Sequence, residues 1–183
     1  MGEGVVLTGV ERTFPSDQFI VSKTDLGGRI TYANDVFLDV AGYTEGELIG
    51  APHNIVRHPD MPCCVFNILW NTIGDGGDII AYVINRAKNG DHYWVMTHVS
   101  ATKDMQGNVT GYHSTRRVPN PAGVDVMKGI YAKLRGLEKN STSKKQAIEA
   151  STRTLLAELD ALGLTYNELI HRLEDGVPLS EAA

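Results

Sequence analysis

The chain has 183 residues, of which 42% are hydrophobic, and its formal net charge of −5 gives a sequence pI near 5.6. This length and composition allow one substantial core with a smaller appendage and exclude a disordered chain. The acidic balance leaves no basic surface to neutralise phosphates, so we expect no nucleic-acid partner. We expect no membrane insertion, because no apolar run is long enough to span a bilayer. The chain also begins without a signal-peptide pattern, and these two observations predict a cytoplasmic protein.

The first half of the chain predicts a β-hairpin followed by short helices. After a lead or cap over residues 1–17, β-rich runs over Gln18–Thr24 and Arg29–Ala33 flank a turn that contains Gly27-Gly28. Glycine tolerates the positive φ of tight turns, so this spacing predicts two antiparallel strands. Asn34 then stands where a residue caps the first of two short helices.

A polar connector with three prolines separates these helices from the next one. The run Pro52–Pro62 contains two histidines, an arginine and an aspartate. Each proline fixes its own φ and biases the preceding residue away from helix, so the polar side chains project from a stiff, irregular segment. Such a segment is typical of a ligand-binding wall, although polar side chains in connectors also cap helices and satisfy backbone groups.

One further helix and three strands complete the predicted sheet. The helix carries Val65–Ile73, and the strands span Asp78–Arg86, His92–Ser100 and Val109–Val118, with Asn89-Gly90 as a strong hairpin signal. Strands segregated from helices in this way indicate an α+β fold. We therefore predict an antiparallel sheet with short helices on one face.

The alternating residues of the later strands are apolar on both faces, so neither face is predicted to meet water uncovered. The set predicted for the outer face is Ile80, Tyr82, Ile84, Trp94 and Met96. An amphipathic helix begins at Pro121, and two more follow it within residues 120–183. We expect the helix after Pro121 to cover this face, from the same chain or from a partner, and hence a homodimer as one arrangement.

The cysteines and histidines do not predict catalysis. Cys63 and Cys64 are adjacent, which is the wrong spacing for a zinc or thioredoxin-like site, so we expect two reduced, buried thiols on a helix, with a vicinal redox switch as the alternative. The histidines on the strands lack metal-ligand spacing. No nucleophile-histidine-acid order or phosphate-binding glycine loop is present, so we predict that the protein is not an enzyme and has no metal site.

Three motifs in this order resemble a PAS domain. They are Tyr43–Gly50, Arg57–Pro62 and Lys88–Trp94. The first is generic to PAS sensors, whereas the second is similar to the PAS domain of bacterial aerotaxis receptors, a family whose PAS module holds FAD without a covalent bond and reports redox state. The resemblance covers about residues 18–119. It implies a PAS fold with five antiparallel strands, followed by a helical extension over 120–183.

The resemblance also implies a cleft between the inner face of the sheet and the short helices, in which FAD binds. The implied cofactor-binding residues are Asn34, His53, Arg57, His58, Asp60, Phe66, Trp70 and Asn85. Arg57 suits a phosphate or ribityl oxygen, Asn85 offers a donor and an acceptor, and Phe66 supplies an apolar wall. Ile79 stands where the receptors have a tryptophan and Ala81 where they have a glycine, which removes one aromatic stacking partner.

The function implied is a stand-alone PAS sensor that binds FAD and reports redox or oxygen state through contacts with an unidentified signalling protein. Three alternatives remain open at this point: a cofactor-free dimerisation or adaptor module, an enzyme that uses the flavin, and a haem or small-molecule sensor. Ile79 favours an empty or altered pocket, whereas the intact Arg57–Pro62 run favours FAD.

Overall fold

A five-stranded antiparallel sheet forms the centre of the molecule, as predicted. The structure is a computed structural model that describes residues 5–179. The strands are β1 (Ile20–Thr24), β2 (Ile30–Ala33), β3 (Asp78–Arg86), β4 (His92–Lys103) and β5 (Val109–Arg117), in the spatial order β2-β1-β5-β4-β3. All four neighbouring pairs are antiparallel. The predicted α+β class is therefore confirmed.

Helices lie on both sides of this sheet. They are α1 (Asp35–Ala41), α2 (Glu45–Leu48), α3 (Cys63–Gly74), α4 (Pro121–Lys139), α5 (Lys144–Leu162) and α6 (Tyr166–Glu174), with a 3-10 turn at His53–Val56 before α3. The first three helices and the 3-10 turn lie on the inner side, and α4 and α6 pack against the outer side. None of the helices within residues 5–179 combines the length and apolar character that crossing a bilayer requires.

The outer face of the sheet is covered by helices of the same chain. The Tyr131 hydroxyl of α4 donates to the Tyr82 carbonyl oxygen at 2.6 Å, and the Tyr131 ring stacks on Trp94 with ring centroids 6.1 Å apart. A Cβ at Gly123 of α4 would lie 2.3 Å from the Tyr82 hydroxyl oxygen, so only glycine lets the helix approach this closely. The contact expected for the helix after Pro121 is thus intramolecular.

The outer edge of β3 is not open to solvent. The Ile80 amide donates to the Asn167 side chain of α6 at 3.0 Å, and the Ile84 amide donates to the Met61 sulfur at 3.4 Å. Arg57 forms an antiparallel bridge with Asn85. Exposed strand edges invite pairing with other chains, and here the edge is used to hold the proline-rich connector against the sheet.

Part of the predicted N-terminal lead caps the β3–β4 turn. The Thr8 amide donates to the Gly90 carbonyl oxygen at 3.1 Å, and the Arg12 amide donates to the His92 carbonyl oxygen at 2.7 Å. The Arg12 guanidinium also pairs with Asp91 at 2.8 Å. This segment closes one end of the sheet.

Candidate functional site

A cavity of about 220 Å³ lies between the inner face of the sheet, α3 and the 3-10 turn. Its polar lining includes His53, Asn85, Thr97, Ser114 and Arg116. An apolar cavity of about 150 Å³ is enough to admit benzene, so this one has room for a larger flat ring. A mostly apolar cavity with a few convergent polar groups is the usual form of a small-molecule site.

Arg116 of β5 is a buried cation without a carboxylate partner among the residues that the structure describes. It is only 4% exposed, and its Nη2 donates to the Ser22 hydroxyl at 2.8 Å and to His53 Nε2 at 2.6 Å. Its Nη1 is buried and has no partner within residues 5–179. Burial lowers the pKa of Arg116 to about 10, which still leaves it charged at neutral pH. An unpaired buried charge is costly, so this guanidinium is suited to an electron-rich or anionic ligand atom.

His53 is held as a neutral acceptor beside Arg116. Burial, reinforced by the Arg116 charge, lowers the pKa of His53 to about 3. Because arginine can only donate, the Arg116 contact requires an unprotonated Nε2, which places the ring proton on Nδ1. The ring also stacks on Phe37 of α1, with centroids 5.9 Å apart. The His53 ring at the floor of the cavity is therefore held in one orientation and one tautomer.

Aromatic side chains of α3 and β5 form the mouth of the cavity. Trp70 is 42% exposed and meets Tyr112 edge to face, with ring centroids 5.5 Å apart. Gly28, in the β1–β2 turn with φ of +74°, lies so close that a Cβ would be 2.9 Å from the Trp70 ring. Phe66 lies one turn of helix earlier on α3 and also lines the cavity. Flat aromatic walls of this kind favour a planar ligand.

Five of the eight residues implied by the resemblance line this cavity: His53, Arg57, Phe66, Trp70 and Asn85. The Arg57 guanidinium stacks 4.2 Å from the Phe66 ring centroid, and its Nη2 lies 3.3 Å from the Cys63 sulfur. Asn85 is buried on the inner face of β3, where its backbone pairs with Arg57. The connector and the edge strand thus present these groups together.

Asn34, His58 and Asp60 lie outside the cavity. The Asn34 side chain caps α1, accepting from the Phe37 amide at 3.2 Å and from the Val21 amide at 2.9 Å. His58 is buried beneath the connector, where its Nδ1 accepts from the Asp60 amide at 3.1 Å, while the Asp60 carboxylate is 3.7 Å away. Burial lowers the pKa of His58, and the Asp60 charge opposes this effect. These three side chains stabilise the frame around the cavity, and none of them reaches the ligand space.

Sequence reasoning missed the polar groups on the strands, above all Arg116. The signal was the strand alternation, since Tyr112, Ser114 and Arg116 are spaced by two and therefore share a face. The sequence places Arg116 and Arg117 side by side at the end of a strand, and the register that buries one of the two is set by the pairing of β5 with β1 and β4. Thr97 lies opposite Arg116, and its hydroxyl is 3.0 Å from that of Ser114.

Ile79 and Ala81, the two positions that depart from the receptor pattern, are buried but do not line the cavity. Its aromatic surface comes instead from Phe66, Trp70 and Tyr112. The loss of a tryptophan at Ile79 therefore does not leave the cavity without aromatic walls.

A family model described as the PAS fold matches residues 30–116, and together with the sheet order this defines the class: these residues form a PAS domain. One relative is the aerotaxis receptor of Escherichia coli strain K12. The chain is 41% identical to it over 129 residues, which are 70% of this chain and 25% of the receptor. The chain spans a quarter or less of the length of the first curated relatives it matches.

Solved structures share the fold at low sequence identity. A light-oxygen-voltage domain studied with a flavin analogue has a TM-score of 0.53 and 22% identity, covering 63% of this chain and 87% of that chain. A PAS domain from Colwellia psychrerythraea has a TM-score of 0.51 and 19% identity, covering 55% and 85%. These likenesses bear on the fold alone.

Proposed function

We propose that the protein is a redox sensor that holds FAD non-covalently in the cavity and signals through protein contacts. The observation that carries this proposal is the buried Arg116 guanidinium, whose Nη1 has no partner within residues 5–179, inside a cavity with aromatic walls. A flavin ring system is planar, carries carbonyl oxygens and ring nitrogens that accept hydrogen bonds, and gains negative charge on reduction. Those properties match what this lining offers.

The polar groups of the cavity suit the edge of such a ring. Arg116 donates from Nη1, Asn85 offers both a donor and an acceptor, and Thr97 and Ser114 add hydroxyls. A bound flavin supplies reversible electron transfer, while the chain orients the ring and excludes water. The resemblance to aerotaxis receptors supports FAD as the particular flavin, and the half-buried Arg57 offers a cation for the phosphates of a nucleotide tail.

The cysteines support non-covalent binding. Neither Cys63 nor Cys64 is among the cavity-lining residues, so no thiol is placed to attack a ring held there. Burial also raises the pKa of Cys64 to about 11, which keeps it protonated and a poor nucleophile.

His53 is unsuited to bind a haem iron, because its Nε2 already accepts a hydrogen bond from Arg116.

The remaining parts of the proposal concern output. From the resemblance we propose that the protein senses without catalysis, acts in the cytoplasm, and contacts a signalling protein or a second copy of itself. A homodimer would have to use a surface other than the outer face of β3 and β4, since α4 already covers that face.

The test is the absorbance spectrum of the purified protein, followed by reconstitution with FAD and with FMN. We expect flavin bands in the blue and near ultraviolet, and release of FAD on denaturation. FMN alone would redirect the proposal to another flavin, and a Soret band or no chromophore after reconstitution would contradict it. A colourless protein that binds small carboxylates would favour the small-molecule sensor, because Arg116 would pair with a carboxylate equally well.

A further inference from the structure

Glu138, near the end of α4, is buried against the beginning of α3. Its side chain is 4% exposed, with Oε2 accepting from the Cys63 amide and Oε1 from the Cys64 amide, each at 2.9 Å. The Ser151 hydroxyl of α5 lies 3.1 Å from Oε1, and its single proton is shared with the Ala147 and Ile148 carbonyl oxygens at 2.9 and 3.2 Å. Arg135 donates to Oε2 at 3.2 Å. One carboxylate therefore joins three helices.

This carboxylate replaces the cap that α3 lacks. The residue before α3 is Pro62, which makes no side-chain hydrogen bond to the helix. The first amides of a helix have no partner within it and carry partial positive charge, so a carboxylate placed there binds them strongly. Burial by itself would raise the pKa of Glu138, but the two amides, Ser151 and Arg135 outweigh it and lower that pKa. The contact is therefore a charged one.

The helix that Glu138 holds is also the wall of the cavity. Phe66, Leu69, Trp70 and Ile73 all project from α3 into the cavity lining. A shift of α3 along its axis or about it would move this wall and the two capped amides together, because a helix transmits displacement along its backbone. The cavity and α5 are thus connected in two ways: by direct packing of α3 against α5, and by a polar path through the α3 backbone, Glu138 and Ser151.

We propose that Glu138 is a positioning residue that couples the state of the cavity to helices α4 and α5. The coupling rests on the proposed function, in that FAD binding is taken as the event that changes α3. By reciprocity, loss of the Glu138 contact must also change the affinity of the cavity for its ligand. A carboxylate that served only to stabilise the fold would not alter how α5 responds to ligand.

The experiment is hydrogen exchange measured by mass spectrometry on the full chain, with and without FAD, for the natural sequence, Glu138→Gln and Glu158→Gln. Glu158 is the matched control, because it pairs with Lys133 across the same two helices but does not touch α3. In the natural sequence and in Glu158→Gln we expect FAD to slow exchange in α3 and in α5. In Glu138→Gln we expect the α3 response to persist and the α5 response to fall about fivefold or more.

An α5 response that is equal in Glu138→Gln and the natural sequence overturns the proposal, as does an FAD effect confined to α3 in the natural sequence. If Glu138→Gln does not fold, Ser151→Ala takes its place, since it separates α5 from the carboxylate and leaves the α3 cap intact. It should reduce the same α5 response, and an unchanged response overturns the proposal.

If FAD does not bind, the proposed function is contradicted, but the coupling can still be tested. In that case Phe66→Ala, which disturbs α3 from the cavity side, replaces the ligand. It should speed exchange in α5 when Glu138 is present and not when Glu138→Gln is combined with it. The same α5 change in both backgrounds, or in neither, would overturn the coupling.

Discussion

Tyr82 and Arg116 lie on opposite faces of the same sheet, and each has a buried polar atom without a partner among the described residues. The Tyr82 hydroxyl is neutral and is sealed directly under Gly123, with no space for a ligand. The Arg116 guanidinium is charged and faces a cavity. A sealed neutral group costs a modest, fixed amount of stability, whereas a buried unpaired cation costs several kcal/mol unless something binds it. The outer face thus serves the fold, and the inner face is the one that we propose serves a ligand.

The largest effect on stability is expected at Gly123. A Cβ there would lie 2.3 Å from the Tyr82 hydroxyl oxygen and 3.2 Å from Leu173, whereas a Cβ at Gly129 on the same helix would meet nothing within 4 Å. We expect Gly123→Ala to lower the free energy of unfolding in urea by about 2 kcal/mol. Gly129→Ala should raise it by up to about 1 kcal/mol, because alanine favours helix. Equal effects would show that α4 does not seal the outer face.

The next largest effect, over the interval from pH 7 to pH 5, is a pH dependence from His53. Its pKa of about 3 in the folded protein lies below the ordinary 6.5, so the unfolded chain binds a proton first as the pH falls. Stability from this group is therefore complete above pH 6.5 and is lost on going down toward pH 3, at about 1 kcal/mol per pH unit. Between pH 7 and 5, His53→Gln should lose less stability than the natural sequence.

The matched control for this prediction is Asn54→Gln, at the exposed neighbour of His53 in the same 3-10 turn, because its side chain does not titrate. It should keep the pH dependence of the natural sequence in urea unfolding at the two pH values. If His53→Gln and Asn54→Gln behave alike, the inner face does not hold His53 neutral.

The smallest effect is expected for the hydroxyl pair at the cavity wall. The Thr97 and Ser114 hydroxyls are buried and 3.0 Å apart. Ser114→Ala alone leaves Thr97 unpaired and should cost about 1 kcal/mol, whereas adding Thr97→Val should restore much of that loss. A double-mutant cycle from urea unfolding measures this coupling. Additive losses would mean that the two hydroxyls do not stabilise each other.

The elements of the fold could be predicted from local signals. Asn89-Gly90 marks the β3–β4 turn, and the observed strand β3 has the predicted bounds, because turn chemistry and alternation are both short-range. The same locality explains Asn34. Its position predicts a helix cap, which it is, and a ligand contact was inferred for it only through the resemblance.

The cavity depended on information that no local pattern contains. Which of Arg116 and Arg117 is buried follows from the pairing of β5 with β1 and β4, and a shift of one residue would exchange them. Glu138 and Cys63 are 75 positions apart in the sequence, so no local pattern near either residue predicts their contact. Pairing register and helix packing are set by the whole core, and only the structure displays them.

The measurement that tests the central claim most directly is the dissociation constant for FAD in the natural sequence, Arg116→Met and Arg117→Met, from quenching of flavin fluorescence. Arg117 is the exposed neighbour and pairs with Glu174 at 3.4 Å. Arg116→Met should fold at least as stably as the natural sequence and bind FAD about tenfold more weakly or worse, since a charged hydrogen bond is lost. Arg117→Met should bind normally. Unchanged affinity in Arg116→Met, or an equal loss in both variants, would contradict the assignment of the inner face as the ligand site.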